Sequence, residues 1–294
     1  MKDCYLYLID KIIVDALNED IPFGDVTTET LIDNCEVEAK VIANEEGIFC
    51  GEVIVKSMVG IVGGINIENL QNDGKKIVPG KEVIRLKGGV KNILKIERTL
   101  LNFISLLSGI ATITREFTKK LSGTGIILKD TRKTIPNLRV LEKYAVRVGG
   151  GKNHRMNLSA FPLVKDNHIG VLLNSDSKKN AVENFIARLK LLAQQTHDNF
   201  EIEIQNLKIL YLIFKYNIFP HYIMLDNMSL CDIEEAINLI RRYEKCKKRK
   251  IFIELSGGIN LDNIDEYKNF DVDFISAGII TKKPHFLDFS LEIN

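Results

Sequence analysis

Residues 222–256, YIMLDNMSLCDIEEAINLIRRYEKCKKRKIFIELS, decide the fold. An apolar run, Tyr222–Leu225, stops at Asp226. Apolar residues then recur at helical spacing over Leu230–Tyr243, and a second apolar run, Ile251–Leu255, stops at Ser256. Two short apolar runs joined through a helix read as parallel strands in a βα repeat. The pattern extends in both directions: Ile126–Leu128 before Lys129 and Asp130, Leu163–Val164 before Lys165 and Asp166, Ile202–Ile204 around Glu203, and Val272–Ile275 before Ser276. Helical patterns over Ala181–Gln195 and Leu207–Tyr216 fall between them. This density of βα units favours a compact α/β barrel; an open doubly wound sheet is the alternative. In a barrel the C-terminal ends of the strands carry the chemistry.

The first third of the chain has another character. Cys35–Ala43 alternates Val37, Ala39 and Val41 against Glu36, Glu38 and Lys40, the pattern of a half-buried strand. Glu52–Val62 reads as a short helix closed by Gly63 and Gly64, Lys81–Leu86 as a strand, and Val90 to about Ser108 as a helix. Elements that do not simply alternate indicate an α+β domain. The expected division is residues 1–115 plus 285–294 in that domain and 116–284 in the barrel.

Composition bounds the rest. The chain has 294 residues, is 45% hydrophobic and 27% charged, and carries a formal net charge of only +1. This is ordinary globular usage, neither disordered nor globally basic. The opening MKDCYLYLIDKIIVDALNEDIPFGD reads as an amphipathic helix, because Asp3, Asp10, Lys11 and Asp15 interrupt what a signal peptide would need. Apolar runs fall short of the roughly 18–20 residues of a membrane span. Five scattered cysteines (Cys4, Cys35, Cys50, Cys231, Cys246) without a CxxC predict reduced thiols in the cytoplasm rather than a zinc site. The run Lys245–Lys250, KCKKRK, resembles a nucleic-acid patch but reads better as a solvated helix end with cations at the negative dipole.

Against this near-neutral background, Lys129–Ile169 gathers Arg132, Lys133, Arg139, Lys143, Arg147, Lys152, Arg155 and Lys165, with His154 and His168. Concentrated cations in a neutral protein suit a small polyanion. Arg132 and Arg155 offer planar forks to carboxylate or phosphate, and Lys133 and Lys165 act as point charges. A barrel would set Lys165, Glu203, Asp226 and Ser256 around one mouth, as a cationic wall facing a smaller acidic one. Acids in a phosphate site ordinarily hold a divalent cation or sugar hydroxyls. Glu201 and Asp166 compete for that acidic role. Ser256-Gly257-Gly258 and Ala277-Gly278 follow consecutive late strands, where backbone N–H groups cradle phosphate. His154 reads as an orienting group, with acid–base work as its alternative. The chain has no GxSxG, HExxH or GxxxxGK[ST], hence no nucleophile motif of those kinds.

These segments resemble quinolinate phosphoribosyltransferase. The resemblance is carried by DTRKTIPNLR (130–139), LEKYA (141–145), GGGKNHR (149–155) and LVKDNH (163–168). It continues nearly end to end through DIPFGDVTT (20–28), ERTLLN (97–102), LSGIAT (107–112), Glu201–Leu207, MLDNM (224–228), LSGGI (255–259) and SAGIIT (276–281). It implies an N-terminal α+β sandwich domain, an incomplete, open α/β barrel, and a C-terminal tail returning to the first domain. It implies a homodimer with shared active sites, higher assembly being left open, and no nucleic-acid or membrane partner. Arg132, Arg155 and Lys165 would hold the quinolinate carboxylates beside Thr131 and His154, and Arg98 would arrive from the partner subunit. Lys133 would neutralise the pyrophosphate side. Glu203 and Asp226 would meet the ribose hydroxyls and the Mg2+ of phosphoribosyl pyrophosphate, directly or through that substrate. Ser256, Gly257, Gly258, Ala277, Gly278 and Ile279 would bind the 5'-phosphate. Lys133, Lys165, Glu203 and Asp226 would be the catalytic set.

The chain departs from the family pattern at Asn137 and Asn157, where small residues or glycine are usual, and at Gln205 and Asn206, which replace a more acidic stretch. The implied reaction forms nicotinate mononucleotide, pyrophosphate and CO2, a step of de novo NAD biosynthesis. Competing readings are a paralogous phosphoribosyltransferase for another aromatic acid, and a non-catalytic phosphate- or nucleic-acid-binding protein.

Overall fold

The computed structural model describes residues 2–174 and 180–293. The chain runs α1 (Lys2–Asp20), α2 (Val26–Leu31), β1 (Glu36–Ala43), β2 (Gly47–Ile48), α3 (Glu52–Val62), β3 (Ile65–Leu70), β4 (Lys76–Ile77), β5 (Lys81–Gly89) and α4 (Val90–Lys120). It continues β6 (Ile127–Lys129), α5 (Arg139–Gly149), β7 (Leu163–Val164), α6 (Asp166–Leu173), α7 (Ala181–Thr196), β8 (Glu201–Ile204), α8 (Leu207–Lys215), β9 (Tyr222–Asp226) and α9 (Leu230–Lys247). It ends β10 (Phe252–Ser256), α10 (Ile264–Tyr267), β11 (Phe274–Ser276), α11 (Ile279–Lys282) and β12 (Phe289–Ile293). Contacts divide it into two compact units, residues 1–119, 133–153 and 279–294, and residues 120–132 and 154–278.

The first unit holds the antiparallel sheet β12-β1-β5-β3. Ala39, Val41 and Ala43 of β1 are buried, as the alternation requires. α3 ends at Gly63 and Gly64, whose φ of 71° and 66° only glycine adopts freely. α4 runs 31 residues, well beyond Ser108. Gly109, just past the expected end at about Ser108, lies where the tail crosses: a Cβ there would stand 1.6 Å from the His285 carbonyl oxygen. By length and composition α4 could cross a membrane, but about two-thirds of its apolar window is buried within the protein, as in a core helix.

The contact division differs from the expected one in giving 116–119, 133–153 and 279–284 to the first unit. The reason is α5. Gly149 meets α4 so closely that a Cβ would come within 2.5 Å of Thr114 and 2.6 Å of the Ala111 carbonyl. Arg115 Nε donates to the Gly149 carbonyl at 2.9 Å, and the Tyr144 hydroxyl donates to Asp73. Glu142 and Lys143 of this helix are fully buried.

The second unit is a six-stranded parallel sheet in the order β6-β11-β10-β9-β8-β7. Lys129 on β6 and Tyr222 on β9 lie three strands apart, about 14 Å in a flat ladder. Yet Lys129 Nζ is 5.2 Å from the centre of the Tyr222 ring. With that curl, and with β7 to β11 in sequence order and β6 returning beside β11, the sheet matches an open barrel whose edges among the described strands are β6 and β7. Asn206 caps α8 by accepting from Ile209 N–H, and Ser229 caps α9 by accepting from Asp232 N–H.

The basic run 245–250 closes α9, with Lys248 in the left-handed region at φ 53°. Its cations meet the protein's own groups: Lys247 with Asn217, Arg249 with Asp198 at 2.8 Å, Lys250 with Asp273 at 3.3 Å. Cys35, Cys50, Cys231 and Cys246 are free thiols, and the side chain of Cys4 lies outside the described ones.

Candidate active site

The C-terminal ends of β7 to β10 stand side by side, and each carries a polar residue at or next to its end. Lys165 follows β7 directly and is the N-cap of α6; its N–H donates to His168 Nδ1 at 2.9 Å. Glu203 lies in β8, Asp226 ends β9, and Ser256 ends β10 in register with Asp226. Lys165 Nζ is 3.2 Å from Glu203 Oε2, so the cationic and acidic walls touch at this pair. Burial pushes the Glu203 carboxyl above its ordinary range. Lys165 opposes the rise, while Asp226 and Asp166 add to it. Three carboxylates with mutual repulsion are a set that a hard divalent cation relieves. Gln205 donates to Asp166 at 3.2 Å, so the less acidic stretch after Glu203 still reaches this cluster.

The turn after β10 is built on glycine by necessity. Gly257 and Gly258 have φ of 99° and 66°. A Cβ on Gly257 would stand 2.5 Å from Asn227 N. Asn227, itself at φ 54°, donates from its N–H to the Ser256 carbonyl at 3.1 Å and from Nδ2 to Asp226 at 2.7 Å. Asn227 thus locks the acidic strand end to the glycine turn. At the second turn, Ala277 N–H donates to the Lys129 carbonyl at 3.1 Å, and Gly278 follows.

The cationic wall rises from the β6 end and from residues 154–162. Arg155 Nη1 donates to the Phe161 carbonyl at 2.9 Å. Burial, and then the nearby Arg132 charge, hold the Arg155 guanidinium below its ordinary pKa, while Glu201 works the other way. Two guanidiniums close enough to repel are arranged for an anion. Asp130, fully buried, accepts the His154 N–H at 2.8 Å.

Beneath this mouth is a polar layer in which Lys129 and Glu254, given no role from the sequence, join His154 and Glu201. His154 Nε2 lies 3.0 Å from Glu201 Oε2 and 3.6 Å from Glu254 Oε1. Lys129 Nζ is 2.5 Å from Glu254 Oε2 and stands 3.6 Å from the centre of the Phe274 ring. Burial, then the Glu201 charge, push the Glu254 carboxyl upward. His154, Glu201 and Glu254 bring potential ligand atoms within 4.8 Å of one another. The Lys129 ammonium already supplies a cation there. Glu254 hides inside the apolar run IFIEL, and Glu201 shares a strand face with Glu203. The available signal was strand alternation, which turns both inward.

Thr131, Arg132, His154, Arg155, Lys165, Glu203, Asp226, Ser256, Gly257, Gly258, Ala277 and Gly278 belong to the barrel unit. Lys133, Arg98 and Ile279 fall in the first unit. Lys133 is exposed, and its carbonyl accepts from Thr281 Oγ1 at 2.8 Å. Arg98 is exposed on α4, and Ile279 opens α11. Asn137 takes a φ of 67°, a conformation asparagine tolerates where glycine is usual.

Comparison with known proteins covers nearly the whole chain. Residues 25–108 match the quinolinate phosphoribosyl transferase N-terminal domain, and residues 110–292 match the C-terminal domain. A probable nicotinate-nucleotide pyrophosphorylase [carboxylating] of Methanocaldococcus jannaschii is 36% identical over 286 residues, covering 96% of each chain. The nicotinate-nucleotide pyrophosphorylase [carboxylating] of Mycobacterium leprae is 31% identical over 298 residues, covering all of both. The solved nicotinate-nucleotide pyrophosphorylase of Francisella tularensis superposes with a TM-score of 0.84 at 34% identity, covering 98% of this chain and 97% of that one. With these matches spanning both units and every strand end described above, the chain belongs to the quinolinate phosphoribosyltransferase family.

Proposed function

We propose that this protein transfers the phosphoribosyl group of phosphoribosyl pyrophosphate to the ring nitrogen of quinolinate, with decarboxylation, giving nicotinate mononucleotide, pyrophosphate and CO2. The observation that carries the reading is the two-walled mouth: Arg132, Arg155 and Lys165 on one side, Glu203 and Asp226 on the other, with the Ser256–Gly258 turn beside Asp226. The cations suit the carboxylates of quinolinate, the acids the ribose hydroxyls, and the turn the 5'-phosphate. Lys133, next in the chain to Arg132, is assigned to the pyrophosphate side.

Catalysis here is positioning and charge neutralisation. The C1–O bond to pyrophosphate breaks through an oxocarbenium-like state, and the pyridine nitrogen supplies the electron pair that closes on C1. The nitrogen is then cationic. The carboxylate on the adjacent carbon leaves as CO2, its bonding pair stays on that carbon beside the positive nitrogen, and a proton replaces it. Such a reaction needs cations that orient a carboxylate and lets it go, and needs no covalent nucleophile. Lys165 Nζ and Glu203 Oε2 lie 3.2 Å apart, so ligands on either wall compete with that pair. Mg2+ fits the hard oxygen donors Glu203 and Asp226; when bound it neutralises charge on the departing pyrophosphate.

A homodimer with shared sites, Arg98 reaching the partner's mouth, and a cytoplasmic location belong to the same reading. Its support is the family match, the exposure of Arg98 and the free thiols. The test is an assay of the purified protein with quinolinate, phosphoribosyl pyrophosphate and Mg2+. Nicotinate mononucleotide and CO2 should appear in equal amounts. Turnover only with another aromatic acid would transfer the reading to a paralogous activity.

A further inference from the structure

The polar layer under the mouth is more than filler. It draws Lys129 from β6, Glu201 from β8, Glu254 from β10 and His154 from the loop after α5, so it ties together strands that are not neighbours. Glu201 is 1% exposed and Glu254 fully buried. Buried carboxylates persist only when paired. Lys129 answers Glu254, and Arg155 lies close enough to Glu201 for each to feel the other's charge.

The histidine reports how the layer connects to the mouth. Arg155 N–H donates to His154 Nδ1 at 2.7 Å. A ring nitrogen that accepts carries no proton, so the proton sits on Nε2, which lies 3.0 Å from Glu201 Oε2 and 3.6 Å from Glu254 Oε1. The backbone of Arg155 is therefore fixed by a ring whose tautomer and tilt are set from below. We propose that Glu201 is a positioning residue for quinolinate: braced beside the Lys129–Glu254 pair, it holds His154 in the Nε2–H tautomer and thereby aims Arg155 into the mouth. The inference concerns Glu201 acting through His154 and rests on the assignment of Arg155 to the substrate carboxylates.

The experiment compares Glu201→Ala with Glu201→Gln. A glutamine carbonyl still accepts from Nε2–H, whereas alanine cannot. Alanine should raise the KM for quinolinate about tenfold or more, leaving the KM for phosphoribosyl pyrophosphate and kcat within about threefold, and glutamine should recover most of the loss. In parallel, nitrogen-15 histidine spectra of the wild-type protein, assigned with His154→Gln, should show Nδ1 of His154 unprotonated. The alanine variant should show tautomer exchange. Equal loss of both substrates together with a lowered Tm would make Glu201 merely structural and overturn the proposal. A protonated Nδ1 in the wild type would overturn it too, and that measurement stands even if the alanine variant fails to fold. So would tightly bound metal at one equivalent that disappears in Glu201→Gln, since the layer would then be a metal centre. A wild-type enzyme inactive on quinolinate refutes the functional reading separately, because the spectra do not depend on turnover.

Discussion

Glu203 is held in a place that disfavours its charge. Burial comes first, and Asp226 and Asp166 add repulsion that Lys165 only partly offsets. A carboxyl whose folded pKa lies above its unfolded value binds more protons when folded, so its contribution to stability is full in acid and is lost as pH rises through the folded value. Glu203→Gln removes that dependence. The variant's Tm should therefore gain on wild type as pH rises from about 4 to 7, and thermal melts across that range measure it. Function should run the other way: Glu203→Gln and Asp226→Asn should spare quinolinate binding and weaken that of phosphoribosyl pyrophosphate. Arg132→Ala and Lys165→Ala should weaken quinolinate binding by roughly 1.5–3 kcal/mol, each losing a charge-assisted contact. Titration of each substrate alone reads both arms, and selective quinolinate loss in the acid variants would mean that the walls are exchanged. At this scale the sequence was legible where a residue ends a strand, as Asp226 and Ser256 do, or directly follows one, as Lys165 does. It was silent on Lys129 and Glu254, because a charge inside a short strand gives no hint of which distant side chain will answer it.

The strands and helices of the barrel could be read closely from apolar runs, down to Leu163–Val164 and the start of α9 at Leu230. Each unit there is local, a run and its connection. α5 escaped that logic. Its residues sit between two barrel strands in the chain, but its apolar and glycine face packs on α4, and helical spacing does not say which distant segment a face will meet. α4 shows the same limit at Gly109, where the small residue marks a crossing rather than an end. This gives an element-scale prediction. Gly109→Ala inserts a methyl against the His285 carbonyl and must displace the tail or bend the helix, at a cost of about 1–3 kcal/mol. Thermal melts should show a lowered Tm, and combining it with removal of residues 285–294 should add much less than the sum, since both act on one contact.

For the whole molecule, the proposed exchange of Arg98 between subunits gives a count. An Arg98→Ala subunit mixed with a Lys165→Ala subunit places both lesions in one site of a heterodimer and neither in the other. About half the wild-type activity per heterodimer should return. If verified exchange restores none, Arg98 serves its own chain. The first unit also carries a consequence for how the protein is made. β12 pairs with β1, which is synthesised long before it, from Ala39–Ile293 to Ala43–Phe289. Until β12 has left the ribosome, β1 has β5 on one side and an open edge on the other, a template for unwanted strand pairing. The barrel strands lie wholly upstream of β12 and can assemble earlier. Emergence of β12 is then the event that seals the first sheet, and nascent chains stalled short of residue 289 leave that edge exposed to aggregation.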